Sequence, residues 1–199
     1  MIRVAIVDDH PIVREGTAAL LAATPDLEIV TTGATLAEAK HLLDDDSLDV
    51  VLLDIRLGQD SGLAALDGRS RRRPAVVLLT AYDYPQYADA ALRLGAAGFV
   101  QKTAPIAELA DAIRKAAAGG LAFGVRPGAG PTFSGRELDV MRLVVDGRSN
   151  DEIGTVLGVA SKTIETRLRG LFDRLGIASR TELATRAIRE GWLDLPPHR

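Results

Sequence analysis

The chain has 199 residues, of which 47% are hydrophobic, 4% are aromatic and none is cysteine. The absence of cysteine excludes disulfides, thiolate catalysis and cysteine-ligated metals, and the net charge of −3 argues against a generally basic nucleic-acid coat. The N-terminus shows no signal-peptide pattern, and no apolar run approaches the roughly 20 residues that span a bilayer, so we expect a cytoplasmic protein without membrane association.

Short apolar runs alternate with helical patterns through the first 118 residues. The runs are nearly continuous, as expected for strands buried on both faces of a parallel sheet. They lie at Val4–Val7, Leu27–Val30, Val50–Leu53, Ala75–Leu79 and Gly98–Val100. The helical patterns lie at Pro11–Ala23, Leu36–Leu43, Leu63–Arg71, Pro85–Leu94 and Ile106–Ala118. Five alternations of strand and helix predict a doubly wound, flavodoxin-like α/β domain with a parallel five-stranded sheet.

A change of composition after residue 120 divides the chain. Residues 121–131 are rich in glycine and proline, which predicts a flexible linker instead of a helix or a central strand. Three Ser-x-x-Glu patterns, typical of helix starts, follow at Ser134, Ser149 and Ser179. A further helical pattern covers Ser161–Leu175. The predicted organisation is an α/β domain over residues 1–120, a linker over 121–131, and a small all-α domain over 132–195.

Three aspartates, a threonine and a lysine follow the predicted strands. Asp8 and Asp9 follow the first strand, Asp54 the third and Lys102 the fifth, while Thr80 ends the fourth. Because the carboxyl ends of parallel strands meet at one edge of a sheet, folding would bring these five side chains together. Asp8 and Asp9 alone would be interpreted as turn or helix-start residues, but the complete set favours a functional pocket.

The chemistry of this set is consistent with phosphoryl transfer to an aspartate. Three carboxylates this close repel one another, and a divalent cation that prefers oxygen ligands relieves the repulsion. Mg²⁺ suits such a site because it accepts a few carboxylates and retains water and phosphate oxygens. A carboxylate can attack phosphorus to form an aspartyl phosphate, whose oxygens the metal, an ammonium group and a hydroxyl can hold.

Several motifs in residues 1–120 resemble those of response-regulator receiver domains of the LuxR/NarL type. The matching segments are Val7–Arg14, Leu53–Arg56 with Gly62, Leu78–Ala81 and Gly95–Lys102. Two departures affect the neighbouring loops. Leu57-Gly58 stands where the family often has Met-Pro, and Thr103 stands where it often has proline.

The resemblance implies a role for each residue of the predicted pocket. It implies that a sensor histidine kinase phosphorylates Asp54, with Thr80 as the switch hydroxyl and Lys102 as the phosphate partner. The implied Mg²⁺ ligands are the carboxylates of Asp8, Asp9 and Asp54 and the backbone carbonyl of Arg56. Phe99 occupies the switch aromatic position of the family, although its packing alone would be explained by a place in the core.

The helical pattern over Ser161–Leu175 has two faces. One is an apolar stripe that can dock on the rest of the domain, formed by Ile164, Leu168, Leu171 and Leu175. Lys162, Thr166 and Arg169 lie on another face, together with Asp173. Such a face can enter the major groove and contact base edges and phosphates, whereas these three residues alone would be interpreted as a solvated helix surface.

Residues 132–195 resemble the LuxR-type helix-turn-helix domain over nearly their whole length. The matching segments are Phe133–Glu137, Gly147–Ile153, Leu157–Val159, Thr163–Ile164 and Leu175–Ile177. The resemblance implies binding to double-stranded promoter DNA and a homodimer when the protein is phosphorylated. It also gives the last helix a role in dimerisation, although composition alone makes Trp192 a core anchor.

Two positions of the recognition helix depart from the LuxR pattern. Glu165 stands where the family usually has lysine, and Arg167 stands where it commonly has histidine. Glu165 can pair with Arg169 four residues on, or it can accept a hydrogen bond from a cytosine amino group. We therefore expect an unusual target sequence or weak binding.

Together these features predict a DNA-binding transcriptional response regulator of a two-component system, and not an enzyme. Two alternatives stay open. One is a Mg²⁺-dependent phosphotransferase or phosphatase with an aspartate nucleophile, although the adjacent Asp8 and Asp9 lack the Asp-x-Asp spacing of haloacid-dehalogenase-type enzymes. The other is a regulator that binds DNA without phosphorylation, against which the intact pocket argues.

Overall fold

A computed structural model of the chain describes residues 1–69, 73–81, 84–124 and 130–195. The chain divides into two compact units, Met1–Gly130 and Pro131–Arg199. The N-terminal unit is α/β and the C-terminal unit is helical. Among the helices of the described residues, none is both long enough and apolar enough to cross a membrane.

The N-terminal unit is built on a parallel six-stranded sheet with the strand order β2-β1-β3-β6-β7-β8. Its strands are β1 Ile2–Val7, β2 Leu27–Gly33, β3 Val50–Asp54, β6 Ala75–Thr80, β7 Gly98–Gln101 and β8 Ala122–Phe123. The strands β4 Arg56–Leu57 and β5 Asp60–Ser61 form a separate antiparallel hairpin. The helices are α1 Pro11–Ala22, α2 Leu36–Leu43, α3 Pro85–Arg93 and α4 Ile106–Ala117. The strand order reverses at β1 and β3, where open sheets of this kind form a crevice.

The burial of the central strands explains why their sequences do not alternate between apolar and polar residues. Every residue of β3 and β6 is buried, as are the last four residues of β1. Helices cover both faces of the sheet, so both sets of alternating side chains must be apolar. Asp54 and Thr80 are the polar exceptions, and they stand at the ends of β3 and β6 where the crevice opens.

The sixth strand corrects the sequence prediction of five. Ala122 and Phe123 lie in the predicted linker, yet they form β8 and pair with Gly98 and Phe99 of β7. A Cβ built on Gly98 would lie 2.9 Å from the carbonyl oxygen of Ala122, so the glycine allows the two backbones to approach. Residues 125–129 of the predicted linker lie outside the described residues.

The helix predicted over Leu63–Arg71 is also wrong within the described residues. Gly62–Ala65 forms a 3₁₀ turn, and the hydrogen bonds from Leu66 to Leu63 and from Arg69 to Leu66 keep the same tight spacing. Gly68 then adopts a left-handed φ of +72°, which an α-helix cannot continue through. Residues 70–71 of the predicted helix lie outside the described part of the chain.

The described part of the C-terminal unit contains four α-helices, α5 Gly135–Val145, α6 Asn150–Leu157, α7 Ser161–Leu175 and α8 Arg180–Arg189, followed by a 3₁₀ turn at Trp192–Asp194. Ser134 and Ser149 form complete capping boxes with the glutamates three residues later, as predicted. The hydroxyl of Ser179 accepts from the backbone N–H of Glu182, but that glutamate returns to the N–H of Ala178. This box is therefore displaced by one residue.

Trp192 anchors the base of the helical unit, as composition suggested. It is fully buried, and its ring lies 5.3 Å from that of Phe133. The guanidinium of Arg186 stacks over the indole at 5.1 Å. Aromatic packing therefore joins Phe133, which precedes α5, to Trp192, which follows α8.

Candidate functional site

Asp54 is the centre of a buried ionic site at the carboxyl edge of the sheet. It is the last residue of β3, and it is only 4% exposed. Lys102 Nζ lies 2.7 Å from Asp54 Oδ2 and 2.7 Å from Asp8 Oδ2. The backbone N–H of Lys102 donates to the carbonyl of Thr80 at 2.7 Å. The lysine is therefore fixed at both its backbone and its ammonium group, and it joins the ends of three strands.

Asp8 and Asp9 are held in place by backbone groups. Asp8 is fully buried, and its Oδ1 accepts from the N–H of His10 at 2.9 Å. Asp9 Oδ2 accepts from the N–H of Gly58 at 2.9 Å, which ties the end of β1 to the loop between β4 and β5. Gly58 has a left-handed φ of +65°. These contacts position the two carboxylates without neutralising either one.

Burial and charge act in opposite directions on the ionisable groups. Burial raises the pKa of Asp54, and the hydrogen bond from Lys102 offsets that effect only in part. Burial alone would lower the pKa of Lys102, but its bonds to Asp54 and Asp8 outweigh burial and raise it. Two carboxylates, Asp8 and Asp54, therefore share one ammonium group, and the pocket has capacity for further positive charge.

The donor set fits a divalent cation. The carboxylates of Asp8, Asp9 and Asp54, together with the ring of His10, offer ligand atoms that all lie within 4.8 Å of one another. Asp9 Oδ1 is buried and, among the described residues, makes no hydrogen bond of suitable geometry, although Nδ1 of His10 lies 2.8 Å away. A buried carboxylate oxygen in an oxygen-rich site matches the preference of Mg²⁺.

A cavity of about 380 Å³ opens beside these groups. The predicted site residues that line it are Asp9, Asp54, Arg56, Thr80 and Lys102. His10 and Tyr87 line it as well, although neither is among the site residues predicted from the sequence. The position of His10 next to two aspartates could have indicated that it belongs to the site. Tyr87 becomes part of the cavity only because α3 follows β6 closely. Phe99 does not line the cavity and is fully buried in β7.

Gly62 supports the loop after Asp54. Its N–H donates to the carbonyl of Ile55 at 2.7 Å, and a Cβ at this position would overlap the carbonyl oxygen of Asp54. The close approach lets the β4–β5 hairpin fold back under the end of β3. This contact explains physically why a glycine stands eight residues after the aspartate.

Helix α7 presents the predicted DNA-binding face to solvent. Its opposite face buries Ile164, Leu168 and Leu171 of the predicted apolar stripe against the rest of the unit, and Leu175 is half-buried. Lys162 and Arg169 are largely exposed, at 77% and 68% of their side chains. The helix begins at Ser161, after Ala160, whose side chain has no oxygen with which to cap the first turn.

Glu165 forms two ion pairs on that face. Its Oε2 accepts from Lys162 Nζ at 2.9 Å, and its Oε1 accepts from Arg169 Nη2 at 2.9 Å. The predicted pairing with Arg169 is thus present, and the pairing with Lys162 was not foreseen. The hydrogen bond from Lys162 lowers the pKa of Glu165, so the carboxylate is ionised at neutral pH. Arg167 is half-buried on the flank of the helix.

A buried acidic pocket on a doubly wound sheet, followed by a helical unit with an exposed polar helix, defines the class of bacterial two-domain regulators. Residues 4–114 match the family model of the response regulator receiver domain. Residues 131–187 match the model of bacterial regulatory proteins of the LuxR family. The chain belongs to the response regulators that join a receiver domain to a LuxR-type domain, and it is a DNA-binding transcriptional regulator.

Full-length relatives support this assignment. The chain is 31% identical to the transcriptional regulatory protein LiaR of Bacillus subtilis, over 95% of this chain and 98% of that protein. It is 33% identical to the transcriptional regulatory protein UhpA of Escherichia coli, over 96% and 100% of the two chains. Among solved structures it resembles the response regulator ChrA of a heme-sensing two-component system, with a TM-score of 0.53, 26% identity, and coverage of 96% and 98%.

Proposed function

We propose that this regulator is controlled by Mg²⁺-dependent phosphorylation of Asp54 by a sensor histidine kinase. The observation that carries the proposal is the buried Asp54 carboxylate beside Lys102. The carboxylates of Asp8 and Asp9 lie close enough to Asp54 to bind one metal ion together with it. A carboxylate oxygen of Asp54 attacks the phosphorus of a phosphohistidine, the P–N bond breaks, and its electron pair leaves with the imidazole.

The residues around Asp54 have distinct tasks in this reaction. Asp8, Asp9, Asp54 and the backbone carbonyl of Arg56 would hold Mg²⁺, which neutralises charge on the transferred group. Lys102 donates to a phosphoryl oxygen from the edge of the sheet, and Thr80 offers its hydroxyl from the end of β6. Because these groups are held by buried backbone, they need little rearrangement when charge develops.

Intact-mass measurement after incubation with acetyl phosphate and Mg²⁺ tests the acceptor. The parent chain should gain one phosphoryl group, and Asp54→Asn or chelation of the metal should abolish the gain. Asp60→Asn, which changes an exposed aspartate of β5, is the matched control and should be labelled like the parent. Equal labelling of Asp54→Asn would refute the assignment.

We further propose that the phosphoryl group is a signal and not an intermediate in turnover. LiaR and UhpA are named as transcriptional regulatory proteins, which fits a single phosphorylation event per signal. A phosphate ester should therefore not be hydrolysed in steady state by the purified chain. Continuous release of phosphate that depends on Asp54 would instead favour a phosphatase or phosphotransferase.

The DNA-binding surface in this proposal is the exposed face of α7. Lys162, Thr166 and Arg169 would contact the duplex, with Glu165 and Arg167 beside them. Arg169→Ala should weaken specific binding to promoter DNA by roughly 1–3 kcal/mol if the arginine reads a guanine. Lys40→Ala removes one exposed positive charge from the N-terminal unit and serves as the control. Equal binding by Arg169→Ala and the parent would contradict this surface.

Phosphorylation is proposed to favour a homodimer that binds two half-sites. A solved structure of two RcsB dimers on two parallel DNAs has a TM-score of 0.62 and 23% identity to this chain, a likeness that concerns the fold alone. Thr80 and Phe99 are buried on the adjacent strands β6 and β7, where a change at the pocket can be transmitted. The shift requires only a few kcal/mol of differential stabilisation.

Titration of promoter DNA with and without beryllofluoride tests the coupling between pocket and DNA. The phosphoryl mimic should increase both DNA affinity and the dimer fraction in the parent chain, and it should change neither in Asp54→Asn. If the mimic binds and both quantities stay constant in the parent, the chain is a regulator that acts without phosphorylation.

A further inference from the structure

The exposed face of α7 holds a carboxylate between two cations. Glu165 pairs with Lys162 one turn before it and with Arg169 one turn after it, each at 2.9 Å. The glutamate side chain is 43% exposed, so the group lies at the surface that we propose faces DNA. We call residues 162, 165 and 169 the Lys–Glu–Arg cluster.

Stability of the helix does not account for this cluster. Exposed ion pairs at these spacings contribute little to helix stability. The ion pairs have a larger effect on DNA binding, because Glu165 engages both cations. The negative charge of Glu165 also reduces the net charge of the cluster from the +2 of Lys162 and Arg169 to +1. Phosphate contacts supply most of the sequence-independent affinity for DNA. The cluster therefore weakens non-specific binding, and recognition must depend more on base contacts.

The hydrogen-bonding capacity of the cluster is specific. A carboxylate has about four lone-pair sites, and the two ion pairs use one on each oxygen. The hydroxyl of the neighbouring Thr166 donates to the carbonyl of Lys162 at 2.9 Å, so its oxygen is also left as an acceptor. The middle of the exposed face thus presents acceptors, and a cationic donor stands at each end of the cluster.

The base edges of the major groove differ in whether they can match this pattern. Cytosine presents an amino donor, guanine presents two acceptors, and thymine presents an acceptor and a methyl group. Adenine also offers an amino donor, but its N7 acceptor lies beside it and would face the second carboxylate oxygen. Among the four bases, cytosine alone offers a donor without an adjacent acceptor.

We propose that Glu165 determines the sequence specificity of this recognition helix by selecting a cytosine, whose amino group donates to its carboxylate. The inference rests on the proposed role of α7 in DNA binding, and it adds the base pair that is read. Lys162 and Arg169 hold the carboxylate in one orientation before DNA arrives. Replacing the cytosine with thymine would place the thymine acceptor against the acceptor oxygen of Glu165. This repulsion weakens binding to the wrong site, in addition to the hydrogen bond that strengthens binding to the right one.

Enrichment of bound duplexes from a randomised library tests this assignment. The full-length chain is used with beryllofluoride, and the parent is compared with Glu165→Gln and Asp173→Asn. The second variant is the control for the loss of one negative charge, because Asp173 is an exposed acid of the same helix outside the cluster. Titrations on the enriched site and on a copy with the selected cytosine replaced then give the discrimination.

The parent should prefer cytosine at one position of each half-site by at least about fivefold, the lower range for one direct base contact. Glu165→Gln should lose that preference or move it to adenine, which glutamine contacts through two hydrogen bonds. Asp173→Asn should retain the cytosine while its affinity for all DNA rises.

Two other outcomes would overturn the inference in distinguishable ways. If Glu165→Gln and Asp173→Asn both raise DNA affinity and keep identical base preferences, Glu165 sets only the charge of the helix. If the parent enriches no sequence and Arg169→Ala binds DNA like the parent, the proposed DNA-binding surface itself is wrong, and the inference falls with it.

Discussion

Gly62 offers a way to perturb the loop after Asp54 without changing a charge in the pocket. A Cβ on Gly62 would overlap the carbonyl oxygen of Asp54 and lie 3.1 Å from its carbonyl carbon. Both atoms belong to the backbone at the end of buried β3, so they cannot move aside as a flexible side chain would. Gly62→Ala should therefore destabilise the N-terminal unit and displace the loop after Asp54.

The size of the effect follows from the contact. Forcing an extra methyl group into a packed site costs about 1–3 kcal/mol, and a backbone clash places Gly62→Ala near the upper value. Alanine also restricts the unfolded chain, which offsets about 0.4–1 kcal/mol. The expected net loss is about 2 kcal/mol. Gly16→Ala in α1 is the matched control, because its Cβ would meet nothing within 4 Å, and it should gain about 0.5–1 kcal/mol.

Urea unfolding followed by far-UV circular dichroism measures both variants. With a denaturant slope of about 1–3 kcal/mol per molar, Gly62→Ala should lower the midpoint by about 1 M, and Gly16→Ala should raise it slightly. Labelling of Asp54 by acetyl phosphate should fall in Gly62→Ala and stay unchanged in Gly16→Ala. An unchanged midpoint for Gly62→Ala would refute the proposed backbone contact.

Two further predictions concern helix α7 and the surface of the N-terminal unit. Gly170 lies inside α7, and a Cβ there would meet nothing within 4 Å. Gly170→Ala should therefore stabilise the helical unit by about 1 kcal/mol. Urea unfolding followed by the fluorescence of Trp192, the only tryptophan of the chain, measures this change. The hydrogen bond from Arg114 lowers the pKa of Asp26 from its ordinary 3.8 to about 2, so the pair stabilises the fold above pH about 4 and loses that effect as the pH falls toward 2. Urea midpoints of the parent and Asp26→Asn should therefore differ near neutral pH and converge at about pH 2, and a constant difference would contradict the pKa.

The sequence was sufficient to predict the pocket because its residues stand at the ends of strong, continuous strand patterns. Asp54 and Thr80 are fixed by buried β3 and β6, so a pattern of apolar runs locates them along the chain. The contacts among them were expected from topology alone, since parallel strands place their carboxyl ends together. The distances from Lys102 to two carboxylates needed the structure.

The errors arose where tertiary contacts override local composition. β8 consists of two residues in a glycine-rich segment, and it exists because Gly98 lets the edge of β7 accept it. The 3₁₀ turn at Gly62–Ala65 replaces a predicted helix because Gly62 packs on Asp54 and Gly68 adopts a left-handed φ. Neither contact leaves a periodic pattern in the sequence from which it could be predicted.

The two proposed sites differ in how strongly the fold constrains them. In the pocket, Lys102 is the counter-ion of the buried carboxylates Asp8 and Asp54, so removing the lysine leaves uncompensated buried charge, which commonly costs several kcal/mol. On α7, the ion pair of Lys162 and Glu165 lies at the surface, and exchanging either residue has little effect on folding stability. The fold therefore restricts the residues of the proposed phosphorylation site and leaves the proposed DNA-binding face open to substitution. If α7 reads the DNA as proposed, the exposed side chains of this helix determine the target sequence, and relatives that share only the pocket and the fold do not specify it.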